Sequence, residues 1–270
     1  MTGHRNGHGF ECLVLDVNTQ WDFLDPLGAF PVANLAELLP ALRRVIAWTK
    51  RNGAPVVSSI ESHRPFELSD SGHPICCVDG SSGQSKVGFT VFSRRVAVEV
   101  DNTLSVPADV FRDYQQVIFR KRTDDLLANP KADSLLSALP VEEFILFGIG
   151  VENSIKAAAL ALMAREKRVT IIPDACGYWS KAGADLALRQ VTAKGANLLT
   201  IDQLLERKLD RRHGLRWRVA LNGHHGDTDR PERNGRSRPA QRNGLRRGLT
   251  PGGRRTAFPH DHRPSGNGKV

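Results

Sequence analysis

The chain has 270 residues, 40% of them hydrophobic, enough to close one large core or two small ones. Its formal charge of +9 is uneven: from Arg207 onward 17 Lys and Arg face 5 Asp and Glu, a net of +12, which leaves −3 for residues 1–206. No run reaches the ~18 apolar residues of a membrane span, residues 1–9 hold no apolar leader segment, and Cys12, Cys76, Cys77 and Cys176 show no CxxC spacing. These features argue against membrane contact, export and a disulfide framework, and the expectation is a cytoplasmic protein.

In chain order, a disordered N-terminus over 1–10 is expected to lead into a buried strand at 11–17, ECLVLDV. Asn34 can cap a helix with Leu35, Leu38, Leu39, Leu42 and Ile46 on its apolar face, closing at Asn52-Gly53. A second buried strand over 54–60 completes a right-handed βαβ unit. Residues 61–95 lack periodicity and read as a long loop. Residues 96–100 suggest an edge strand or hairpin arm. Strands at 116–120, 143–147, 168–172 and 196–200 then alternate with helices at 131–139, 185–193 and 201–208. A further helical pattern starts at Ile155, with Ala158, Ala159 and Leu162 on one face and Ser154 in its first turn.

This alternation specifies an α/β domain over 11–206: three layers, α/β/α, around a mostly parallel sheet. From 207 to 270 the chain is rich in Arg, Gly and Pro and is expected to be disordered. That basic tail is either an inert extension or a polyanion-binding arm, and nucleic acid is a partner only through it.

Four separated motifs, in order, carry a family resemblance. Asn18-Thr19-Gln20-Trp21-Asp22-Phe23 resembles D-x-Q-x-D-F, Lys121 follows the strand ending at Arg120, Gly148 to Ile155 resembles G-V-x-T-D-x-C-V, and Pro173-Asp174-Ala175-Cys176 resembles an Asp-Ala step. Together they are similar to the isochorismatase-like cysteine hydrolases, the superfamily of nicotinamidases and isochorismatases. The resemblance implies a Rossmann-like sheet of about six strands and a triad of Cys, Asp and Lys. Here Ser154 stands at the Cys position and Asn18 at the Asp position, and Lys121 is kept. A hydroxyl needs a base that a readily ionised thiol does not, and Asn takes up no proton near neutral pH.

Asp16, two residues before Asn18, is the substitute acid or base by strand alternation, or else a buried carboxylate paired with Lys121 or with backbone N–H groups. Gly148, Ile149, Gly150 and Asn153 form the expected substrate and oxyanion loop. A dinucleotide-binding turn there would need a third glycine where Asn153 stands.

Glu61-Ser62-His63 resembles the metal-holding Asp-x-His of nicotinamidases, and Cys76 stands where relatives have a His before a C-V-x-G-T-x-G turn. Glu61, His63 and Cys76 could therefore hold Zn²⁺, although no cofactor is required by the reading; otherwise Glu61 and His63 simply hydrogen-bond at the strand end. The expected activity is hydrolysis of a small amide, imide or vinyl ether, with a homo-oligomer as the implied assembly. The alternative is a pseudoenzyme that binds a small molecule or a partner.

Overall fold

The computed structural model describes residues 10–66, 74–99 and 106–209. The expected disordered N-terminus and basic tail fall almost entirely outside these residues. Seven strands, β1 (Phe10–Val17), β2 (Val56–Glu61), β3 (Arg95–Val98), β4 (Gln116–Lys121), β5 (Val141–Ile149), β6 (Arg168–Gly177) and β7 (Asn197–Leu198), form one sheet. Its order is β3-β4-β2-β1-β5-β6-β7, and every neighbouring pair is parallel. The count is one above six, and the strand expected from residue 96 is the parallel edge strand β3, Arg95–Val98, rather than a hairpin arm.

The helices are α1 (Trp21–Leu24), α2 (Leu35–Asn52), α3 (Pro130–Ala138), α4 (Lys156–Met163), α5 (Lys181–Ala193) and α6 (Ile201–Glu206). Central strands read as continuous apolar runs because helices cover both faces: Leu13, Val14 and Leu15 of β1 and Phe144 to Phe147 of β5 are fully buried. α2 turns Leu38, Leu42, Val45, Ile46 and Trp48 inward and ends at Gly53, whose φ of 65° supplies the left-handed residue that closes a helix. Asn34 does not cap it through its side chain. Its amide instead donates to the Cys176 carbonyl at 3.0 Å and accepts from the Tyr178 N–H at 3.2 Å, tying the helix start to β6.

From β1 the chain moves outward to β2, on to the edge strand β3 and back one place to β4, whereas from β5 it winds the other way to β6 and β7. With right-handed crossovers, α2 and α4 therefore lie on opposite faces. The reversal falls between β1 and β5, and the crevice beyond the carboxyl ends of strands at such a point is where open α/β sheets bind ligands. Among the described residues, no helix is long and apolar enough to cross a membrane.

Candidate active site

Asn18, Glu61, Lys121 and Ser154 meet at this crevice, each brought in by a different segment. Asn18 follows β1 directly and adopts φ 52°, a left-handed conformation that Asn tolerates better than most side chains. The Ser59 hydroxyl holds it by donating to Oδ1 at 2.8 Å, which fixes the amide orientation and sends Nδ2 to Ser154 Oγ at 3.1 Å and to Glu61 Oε1. Ser154 lies in a single π turn, Val151–Ile155, between β5 and α4, so the residues expected to begin an ordinary helix form a wider turn. π turns of this kind recur at functional sites. The turn enters at Gly150, with φ 87°.

Lys121 ends β4 and is 2% exposed. Its three ammonium protons are accounted for by Glu61 Oε1 at 3.1 Å, Ser154 Oγ at 3.2 Å and the Thr123 carbonyl at 3.0 Å. Ser154 Oγ thus accepts from Asn18 and Lys121, and its own proton has two acceptors in reach, Glu61 Oε1 at 3.2 Å and Asp124 Oδ1 at 3.4 Å. Burial alone would raise the Glu61 pKa. The Lys121 charge and the hydrogen bonds from His63 and Lys121 outweigh burial and hold it at about 2, against an ordinary 4.5, so the carboxylate is ionised at neutral pH.

Gln20 clamps the end of β2 from across the sheet: its amide accepts from the Glu61 N–H at 2.7 Å and donates to the Glu61 carbonyl at 2.9 Å. Asp22 accepts from the Ala29 and Cys77 N–H groups, which binds the 77–83 turn to the start of the site. Gln20, Ser59 and Asp124 were not singled out in the sequence. Gln20 lay inside a quoted motif, and polar residues at the carboxyl ends of neighbouring strands were the available signal for Ser59.

Asp16 is placed elsewhere. A continuing strand would put Asp16 and Asn18 on one face, but the left-handed turn at Asn18 redirects its side chain to Ser59. Asp16 faces the opposite side, where it accepts from Thr19 at 2.8 Å, Ser58 at 3.0 Å and the buried Lys86 ammonium at 2.9 Å. Its oxygens thus serve a buried network apart from the Ser154 hydroxyl, and its ammonium partner is Lys86 rather than Lys121. The Cys176 thiol is buried, which raises its pKa, and it donates to the Ile172 carbonyl at 3.1 Å.

The loop glycines have local reasons. At Gly148, φ is 127° and an added Cβ would lie 2.0 Å from the Val17 carbonyl oxygen, so β1 and β5 approach closely where the site begins. Ile149 is fully buried, and the Gly150 N–H donates to the Gly177 carbonyl at 3.0 Å. Glu152 accepts from the Trp179 and Ser180 N–H groups at 2.9 and 2.7 Å, and Asn153 Oδ1 is buried with no hydrogen-bond partner among the described residues.

His63 and Cys76 meet behind Glu61. The His63 N–H donates to the Cys77 carbonyl at 3.1 Å and the Asp79 N–H to the His63 carbonyl at 2.9 Å, which brings Cys76 alongside. One ligand atom each from Glu61, His63 and Cys76 lies within 4.8 Å of the others, and Glu61 Oε2 is 3.5 Å from His63 Nε2. A hydrogen bond from the Cys77 thiol lowers the Cys76 pKa against the effect of burial, while the same contact and burial raise that of Cys77. A carboxylate, an imidazole and a thiol disposed to ionise suit Zn²⁺ in donor type and spacing.

No curated protein matches the chain in sequence. Among solved structures, it is similar to a pyrazinamidase of Pyrococcus horikoshii in complex with zinc, at 21% identity and a TM-score of 0.55, covering 70% of this chain and 99% of that one. A pyrazinamidase/nicotinamidase from Streptococcus mutans matches at 16% identity and a TM-score of 0.57, covering 70% and 99%. PnC1 from L. infantum in complex with nicotinate matches at 15% identity and a TM-score of 0.58, covering 72% and 94%. These likenesses establish the fold. The isochorismatase domain matches residues 12–203, most of the chain, and the protein belongs to the isochorismatase-like hydrolase family.

Proposed function

We propose that this protein is a hydrolase of small amides or imides in which Ser154 replaces the family's thiol as nucleophile. The observation that carries the reading is the set of groups around Ser154 Oγ: an ammonium at 3.2 Å, an amide N–H donor at 3.1 Å and a carboxylate oxygen at 3.2 Å, with Ser154 itself 1% exposed. The two donors would stabilise charge developing on Oγ as its proton leaves. The names of the neighbours, pyrazinamidase and nicotinamidase, support a carboxamide as the substrate class.

Glu61, His63 and Cys76 would hold Zn²⁺, which when bound would supply Lewis-acid polarisation of a substrate atom. Lys121 and Asn18 orient the Ser154 oxygen and exclude water from it. A second reading, a binding module without chemistry, is favoured by one feature: the donors of Lys121 are already matched within the cluster.

Assaying the full chain against small carboxamides, imides and isochorismate, beside Ser154→Ala and Asn18→Asp/Ser154→Cys, tests both readings. Turnover by the parent, abolished in Ser154→Ala, supports the hydrolase; activity confined to the double variant supports the binding module and overturns the hydrolase.

A further inference from the structure

We infer that Asp124 makes the crevice selective for amides that carry an ammonium group a few bonds from the scissile carbonyl. The inference rests on the hydrolase reading above and names the substrate class which that reading leaves open.

Three observations carry it. The first is access. Among the described residues four side chains reach Ser154 Oγ, and three of them are closed off from solvent: Asn18 is fully buried, Lys121 is 2% exposed and the Glu61 side chain 13%. The fourth, Asp124, is exposed, with Oδ1 3.4 Å from Oγ. The open side of the cluster is therefore the side where Asp124 stands, and a molecule that reaches the hydroxyl passes its carboxylate.

The second is charge. The neighbouring carboxylates are matched: Glu61 faces Lys121 and His63, Asp79 pairs with Arg122, and Asp22 and Glu152 accept backbone N–H groups. Among the described residues Asp124 pairs with no Lys, Arg or His, and its hydrogen bond is the one from Ser154. Water solvates that charge in the open crevice, and a bound substrate displaces the water. A neutral ligand then leaves the carboxylate desolvated without a counter-charge, an anion is repelled, and an ammonium replaces the lost hydrogen bonds.

The third is a fixed backbone. The Lys121 ammonium holds the Thr123 carbonyl at 3.0 Å, the Thr123 hydroxyl donates to the Asp125 carbonyl at 3.1 Å, and the Asp125 carboxylate accepts from the Leu127 N–H at 2.8 Å. The residues on either side of Asp124 are thus pinned, which sets its carboxylate beside Ser154 before a ligand arrives. A carbonyl carbon poised for attack lies about 3–3.5 Å from the nucleophile, and an ammonium sits about 2.8 Å from a carboxylate oxygen. With Oδ1 and Oγ 3.4 Å apart, one small molecule spans both contacts.

The test uses the full chain and three amides of similar size: β-alaninamide, cationic at neutral pH, its neutral isostere butanamide, and the anion succinamate. Turnover and calorimetric binding are measured for each. The cation is expected to exceed butanamide in kcat/KM by about 10-fold or more, the scale of a hydrogen bond to a charged group, with succinamate the poorest. Asp124→Asn is expected to bring cation and butanamide to within about 3-fold, against that 10-fold scale, Asp124→Glu to keep the preference, and Asp124→Lys to favour succinamate over the cation. Because Asp124 is exposed, the preference of the parent is also expected to shrink as sodium chloride rises from about 0.02 to 0.5 M.

A parent that turns over the cation and butanamide within about 3-fold of each other, against the 10-fold scale of a charged hydrogen bond, overturns the inference and leaves the hydrolase reading standing. A folded Asp124→Asn that keeps the preference of the parent overturns it as well. If Asp124→Asn fails to fold, the salt series on the parent decides, and a preference that salt leaves unchanged sinks the role of Asp124. A parent that turns over no amide of this set or of the wider panel, yet binds the cation about 10-fold more tightly than butanamide, keeps the role of Asp124 and defeats only the hydrolase reading. A parent that neither turns over nor binds any of them defeats both.

Discussion

Glu61 and Lys121 are register partners at the carboxyl ends of β2 and β4, and their ion pair, 3.1 Å from Oε1 to Nζ, is closed over by the Ser154 hydroxyl. Two charges have been taken from water at the mouth of a parallel sheet. The attraction offsets their desolvation only while both remain, so the pair ties the stability of the fold to the integrity of the site.

Lys121→Met should be costly. It leaves the Glu61 carboxylate buried beside Asn18 and Ser154 with its closest cation removed, and the loss is expected at about 3 kcal/mol. Urea unfolding of parent and variant checks this; an unchanged midpoint would show that the pair adds nothing.

Gly148→Ala is expected to destabilise by about 2 kcal/mol or more, because a side chain at its positive φ is strained and the Cβ would lie 2.0 Å from the Val17 carbonyl, which the strand pairing cannot move aside. Thermal unfolding measures the loss. Any activity found for the parent should fall as well, since Gly148 precedes the turn that carries Ser154.

Asp16→Asn should lower the melting temperature while leaving the chemistry of the folded protein within about 3-fold of the parent, far from the 100-fold scale of a lost base. The Asp16 partner Lys86 is buried, and burial pushes its pKa down against the pull of Asp16, so neutralising the carboxylate strands an ammonium in the interior. A loss of about 100-fold in the rate of folded Asp16→Asn would return Asp16 to the reaction.

Acid stability should depend on Glu143. Burial raises its pKa, but the Arg207 guanidinium, hydrogen-bonded at 2.6 Å, and the Thr170 hydroxyl prevail and hold it below the ordinary 4.5. A depressed folded pKa contributes stability in full above about 4.5, and that contribution is lost as the pH falls through the folded value. Urea midpoints measured from pH 6 to pH 3 should therefore fall more steeply for the parent than for Glu143→Gln; parallel slopes would contradict the assignment.

Zinc content offers a fourth type of readout. The parent dialysed against zinc is expected to retain about one ion per chain, and Cys76→Ala and His63→Ala to retain little, because each removes one of the three protein donors a catalytic zinc commonly has. Elemental analysis after gel filtration checks it.

Much of this protein was determined by local sequence. Continuous apolar runs such as Phe144 to Phe147, separated by helical patterns, specify a parallel sheet covered on both faces, since nothing else buries such strands. Motifs at strand ends point to Asn18, Lys121 and Ser154, and the structure brings Asn18 and Lys121 to 3.1 and 3.2 Å from the Ser154 hydroxyl oxygen. Boundaries were less legible: β6 runs on to Gly177, and α5 begins at Lys181, where Ser180 caps it by accepting from the Gly183 N–H.

Tertiary structure alone decided the partners. Whether Asp16 or Glu61 faces Ser154 depends on one backbone angle, φ 52° at Asn18, and on the register that sets Glu61 beside Lys121 across 60 residues of chain. Period-2 alternation assumes a strand that continues, and it fails where the strand stops. A carboxylate contributed by another strand leaves no trace in the spacing of the Ser154 motif, because its distance to Ser154 is set by sheet pairing and side-chain length.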